Sequence, residues 1–150
     1  MHEFEETETA ALAALEPLKA QGLKTLEILA GQLDVDELED ITQNFPFIYI
    51  KAAPLRSETQ NRVDRLDVTL LLFVGDCNER GGSAPVLGDA TSPGVYALLD
   101  GARELLHRKR IASDWQPAER MTEDFLAGNH SAGLYVYVAQ YRMRRGVARR

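Results

Sequence analysis

Residues 75–99 read GDCNERGGSAPVLGDATSPGVYALL, and they gather several residue types that could do chemistry: glycines 81, 82, 88 and 94, with Cys77, Ser83 and Asp89 among them. A phosphate cradle needs Gly-x-x-x-x-Gly-Lys followed by Ser or Thr, because backbone N–H groups surround the phosphate while the lysine reaches across it. Gly82 and Gly88 have the wrong spacing, and Asp89 stands near where the lysine should be, a carboxylate that repels phosphate. No Gly-x-Gly-x-x-Gly occurs in the chain, so the dinucleotide fingerprint fails too. GGSAP begins like a nucleophile elbow, but Pro85 occupies the second glycine's place and Ser83 reads as an ordinary loop serine.

Other reactive groupings are equally thin. His2, His107 and His130 are scattered, with no His-Glu-x-x-His pair, and the single Cys77 excludes an internal disulfide or a zinc site built on several thiolates. His107, at the end of an expected helix, suits a residue that complements the helix dipole. DVDELEDI at 34–41 has calcium-like acids but no glycine at the sixth loop position, and it reads as a solvated helical face. Asn129 opens an Asn-His-Ser sequon that has no consequence without a secretory route. Asp34, Asp36, Glu39 and Asp40 could supply paired carboxylates, yet nothing in the sequence marks one as perturbed. Neither an enzyme nor a metal or cofactor site is indicated.

The elements that must position these residues follow from periodicity. Phe4, Ala11, Leu12, Leu15 and Leu18 recur at helical spacing over 4–19, with Pro17 ending or kinking the helix early. LKTLEIL at 23–29 suits a strand, DVDELEDITQNF from Asp34 a second, acidic helix, and FPFIYIKAA at 45–53 another strand. VDRLDVTLLLFVG at 63–75 alternates at first and then turns apolar on both faces, which predicts a strand covered on both sides in its second half. Val95, Leu98, Leu99, Ala102, Leu105 and Leu106 form an amphipathic stripe, with Asp100, Arg103, Glu104 and His107 facing away. A looser stretch holds Trp115 and Pro117, and GLYVYVAQYRMR at 133–144 alternates as a long strand. The sum is one α+β domain over 1–150, a small mixed and mainly antiparallel sheet with helices packed on one face.

Length and charge bound the function. A chain of 150 residues, 45% hydrophobic and 27% charged, builds one respectable core. The acidic N-terminus does not resemble a basic-headed secretory signal and no apolar run reaches membrane-spanning length, so a cytoplasmic product without a membrane partner is expected. The net charge of −6 is unevenly spread: residues 1–50 hold eleven acids and two bases, whereas residues 101–150 hold five acids and ten bases. Unlike ends of this kind suit a head-to-tail assembly, in which Asp36, Glu39 and Asp40 of one copy face Arg142 and Arg144 of the next. The long loop at 76–92, with Asn78, Glu79 and Arg80 at its base, and a polar loop at 54–62 carrying Arg56 and Arg62 read as assembly loops. The alternative is a small nucleic-acid-binding module without sequence preference, stacking bases on Tyr135, Tyr137 and Tyr141 and holding phosphates with Arg142, Arg144, Arg145, Arg149 and Arg150, the last of which lie in a frayed basic terminus.

The order of these elements, and above all VTLLLFVGDCNERGG followed by SPGVYALLDGARELL and YVYVAQY, resembles the Mu-like phage and prophage tail-completion family, which includes tail terminators of contractile-tailed phages. Arg80, Gly94 and Tyr96 fall at positions similar to those of that family. The resemblance implies a non-enzymatic virion protein of the tail and neck, assembled in the host bacterial cytoplasm. It also implies a homo-oligomeric, hexameric ring that caps the tail tube and sheath proteins and offers a surface to the head–tail connector.

Overall fold

The computed structural model describes residues 2–30, 45–60, 63–77, 93–129 and 134–148. The expected acidic helix from Asp34 and most of the expected loop at 76–92 lie outside the described residues, although Asp76 and Cys77 close a strand.

Helix α1 (Glu3–Leu15) starts where the His2 side chain accepts from the Phe4 N–H at 3.1 Å, and Glu3, Glu5 and Glu6 load its first turn with the negative charge a helix N-terminus favours. Pro17 acts as its position predicts. The α-helix stops at Leu15, and Glu16–Gln21 continue as a 3₁₀ turn that ends on Gly22 at φ 110°, a left-handed conformation that glycine adopts without steric cost. Strands β1 (Thr25–Ile28), β2 (Phe47–Gln60) and β3 (Val63–Cys77) follow, then α2 (Gly94–Leu106), β4 (Glu119–Asn129) and β5 (Leu134–Ala148). The sheet order is β1-β2-β3-β5-β4, with β1 parallel to β2 and every other pair antiparallel.

The fold is thus α+β, as the periodicity predicts. Register explains the core: Ile50 lies opposite Leu72 and Leu72 opposite Ala139, while Ala52, Leu70 and Tyr141 form the next row. These side chains share one face and bury themselves against Ala11, Leu15 and Leu18 from the first helical segment and Val95, Leu98 and Ala102 from α2. Gly101 allows the close approach of the two helical segments, since a Cβ there would lie 2.6 Å from Leu18 Cδ2.

Two expectations are corrected by this architecture and one is refined. The polar stretch at 54–62 is not a loop: β2 runs on to Gln60 and β3 resumes at Val63, with a bulge between Pro54 and Arg56. The second half of β3 is covered on both sides to different degrees: Leu70, Leu72 and Val74 are fully buried under the helices, while on the opposite face Leu71 and Phe73 are half-buried beside fully buried Phe47 and Tyr49. The looser stretch after Trp115 contains a whole strand, β4, at the edge of the sheet.

Candidate interaction surface

That edge strand carries the most conspicuous surface of the described residues. Tyr96, Met121, Phe125 and Leu126 are the large hydrophobic side chains left exposed, at 46%, 47%, 56% and 48%, and they come from the first turn of α2 and from β4. A lone exposed apolar residue is ordinary, but several from one edge strand and the helix beside it make this side of the molecule the candidate surface. Bulges between Arg120 and Thr122 and between Phe125 and Ala127 interrupt the alternation of β4, so that Phe125 and Leu126 both reach solvent.

Below this rim the groups are held in a fixed order. Phe125 meets Tyr137 edge-on with ring centroids 5.4 Å apart, and Tyr137 meets Tyr96 edge-on at 5.7 Å with the two hydroxyls 3.5 Å apart. The hydroxyl contact and burial push the Tyr137 phenol up to about 12. Arg103 of α2 crosses to β4 and donates to both carboxylate oxygens of Glu123, from Nε at 3.2 Å and from Nη2 at 2.8 Å. That paired geometry raises the Arg103 pKa above its ordinary value. Arg103 therefore does not point idly away from the core, as the helical stripe predicts; it ties α2 to the edge strand. Tyr96, Leu99, Asp100, Arg103, Glu123 and Tyr137 line a shallow cavity of about 350 Å³. Its charged groups pair with one another: Arg103 reaches Glu123 at 2.8 Å and Asp100 at 3.8 Å.

The residues singled out from sequence are placed differently. Arg142 and Arg144 lie on β5, on the face away from the helices, and have partners within the chain. Arg142 Nη2 is 2.8 Å from Glu119 Oε2, and Arg144 lies 3.7 Å from the same oxygen and 4.0 Å from Asp67 Oδ1. Arg56 is in β2 beside the bulge, paired in register with Asp67 of β3. Asp36, Glu39, Asp40, Arg62, Asn78, Glu79 and Arg80 lie outside the described residues.

Among the described residues, the tyrosines of β5 do not share a face with Arg142 and Arg144. Tyr135, Tyr137 and Tyr141 share the helix-covered face, with Tyr141 fully buried, whereas Arg142 and Arg144 occupy the opposite face. Arg145 is drawn to α1 instead: it donates to Glu6 at 3.1 Å and its guanidinium lies 4.8 Å above the Trp115 ring, while Trp115 Nε1 donates to the other Glu6 oxygen at 3.1 Å. Arg149 and Arg150 are outside the described residues.

Met121, Phe125 and Leu126 were not reached by sequence reasoning. The available signal was an adjacent apolar pair in RMTEDFLAGN, embedded among charges that hide a period of two. Among the described residues no cluster of His, Cys, Asp and Glu could hold a metal ion, and no helix is long and apolar enough to cross a membrane. Over residues 3–145 the sequence matches the family described as Bacteriophage Mu, Gp37. No curated protein matches the chain.

Proposed function

Because the chain belongs to the bacteriophage Mu Gp37 family and is a phage protein, we propose that it is a structural protein of the virion neck, a tail-completion protein. Copies join head-to-tail into a hexameric ring that caps the tail tube and sheath and presents its far side to the head–tail connector. The observation that carries this reading is the exposed apolar rim of β4 and α2, because an edge strand bearing Met121, Phe125 and Leu126 in solvent is a liability unless another protein covers it. The closed ion pair beneath the rim supports the same reading, since it holds the edge rigid before a partner arrives and spares the contact that ordering cost.

The test is to add the purified protein to tail tubes polymerising from their own subunit and to follow tube length by electron microscopy. A tail-completion protein halts growth at a defined end and leaves visible density there. Tubes that lengthen equally with and without it, and carry no added density, would contradict the assignment.

A further inference from the structure

The sheet has a second apolar face, turned away from α1 and α2. By register, Phe47 and Tyr49 of β2, Leu71 and Phe73 of β3 and Val136 and Val138 of β5 point to it, whereas Ile50, Leu72 and Ala139 point to the helix side. Phe47, Tyr49 and Val136 are only 0%, 0% and 1% exposed, yet none belongs to the core under the helices, and the described helices pack on the other side. A sheet buries aromatic rings to this degree only beneath a second layer.

The connection from β1 to β2 has to pass along the sheet. The two strands are parallel, so the chain leaves β1 beside Ile50 and must return, through residues 29–46, to the end of the sheet where Phe47 begins β2. Crossovers between parallel strands are right-handed almost without exception. β3 and β4 are parallel as well, both being antiparallel to β5, and they are joined through α2. Both crossovers step in the same direction along the order β1-β2-β3-β5-β4, but β1 and β3 run oppositely. Two connections of one hand must then lie on opposite faces, and α2 occupies the face of Leu70 and Leu72. The face of Phe47 and Phe73 is left to the β1–β2 connection. Its described end is already there, since the Phe45 ring lies 5.5 Å from that of Phe47.

The sequence of that connection suits the place. Read as a helix from Asp34, it brings Val35, Leu38 and Ile41 to one side and Asp36 and Asp40 to the other. We propose that residues 34–44 lie across the second face of the sheet as an amphipathic helix, with Val35, Leu38 and Ile41 against Phe73 and Val138 and the carboxylates outward. The sheet is then covered on both sides. The acidic charge of the first third of the chain stands on the side opposite Tyr96 and Phe125, which belong to the helix side. A cationic partner and a partner for the apolar rim would therefore approach the molecule from different sides.

The test uses the full chain with Cys77→Ser as background. Phe73→Cys and Val138→Cys, both at half-buried positions, are each combined with Leu38→Cys or with Asp40→Cys and treated with a short bismaleimide. Mass spectrometry separates links within a chain from links between chains, and circular dichroism confirms the fold of each variant. Leu38→Cys should link within the chain about tenfold faster than Asp40→Cys, which reaches that face only when the segment opens. Hydrogen exchange of the wild type gives a reading without substitution: the amides of residues 35–42 should be protected, and equally so on dilution. Equal linking by Leu38→Cys and Asp40→Cys overturns the proposal. Val86→Cys that links to Phe73→Cys in place of Leu38→Cys overturns it in favour of residues 78–92 as the cover. Links formed only between chains overturn it in favour of a second copy, and amides at 35–42 that exchange freely overturn it without any variant.

Discussion

Gly75 is the residue on which the second face of the sheet turns. Phe47 lies across it, and a Cβ at position 75 would come within 2.3 Å of the Phe47 ring, which is itself fully buried and stacked on Tyr49 at 4.6 Å. Gly75→Ala should therefore cost about 1–3 kcal/mol, the usual range for overpacking, and in combination with Phe47→Leu the loss should be smaller than the two single losses summed. Urea midpoints of the two single variants and the double variant measure this; strict additivity would show that the ring moves aside freely. The tyrosines give a second test at this scale. Burial pushes Tyr49 and Tyr141 up to about 12, from the ordinary value of 10.0. Between these values the unfolded chain releases the phenolic protons and the folded chain keeps them, so this contribution to stability is full below pH 10 and declines as pH rises toward 12. Phenolate absorbance should accordingly lag behind that of the denatured chain and then rise together with unfolding. Free titration of all five tyrosines near pH 10 with the fold intact would contradict the burial.

At the scale of elements, two carboxylates of α1 clamp it: Glu8 accepts from the Ala52 N–H of β2 at 3.0 Å, and Glu6 reaches the far end of the chain. Glu6 accepts from the buried Trp115 indole and from Arg145, so Glu6→Ala orphans two donors at once and should lower stability by about 1–3 kcal/mol. Trp115 fluorescence during urea unfolding reads it directly, and an unchanged midpoint would show that water replaces the carboxylate without loss. The Glu6 clamp joins residues more than a hundred positions apart, and nothing in the local pattern announces it. What was legible locally is the set of elements whose apolar period matches their burial. Helix α2 was found to within a residue because its stripe faces the core, and β3 because Leu66, Val68 and Leu70 alternate before the apolar run. Strand β4 was missed for the opposite reason: its large apolar side chains point to solvent, its bulges break the alternation, and most of its remaining positions are polar. The polar stretch at 54–60 misled similarly, since a strand that extends the sheet by backbone pairing needs no apolar period. The candidate surface shares that illegibility, because apolar side chains that face solvent leave no period tied to the core. Arg142 and Arg144 show the converse. Their charge was visible, but their partners Glu119 and Asp67 were fixed by register, so Arg142→Glu should reduce stability by about 1 kcal/mol through repulsion from Glu119. A thermal melt of the variant checks this, and no shift would mean the pair contributes nothing.

For the whole molecule, the acidic first third and basic last third suggested attraction between unlike ends, but much of the basic charge in the described β5 is answered within the chain. In the proposed ring, apolar contact at the β4 rim carries association. Phe125→Asp, at a side chain 56% exposed, should leave the monomer folded and weaken assembly about thirtyfold or more, the loss expected when an interface anchor is removed. Added salt should then weaken wild-type assembly only modestly, since screening acts on the exposed rim charges and not on the apolar centre. The most direct measurement is a native mass spectrum of the full chain beside its Phe125→Asp variant over a range of concentrations. The account predicts one closed hexameric species for the wild type and folded monomer for the variant. Wild type that stays monomeric at every concentration, or a variant that forms the same closed species just as readily, would contradict it.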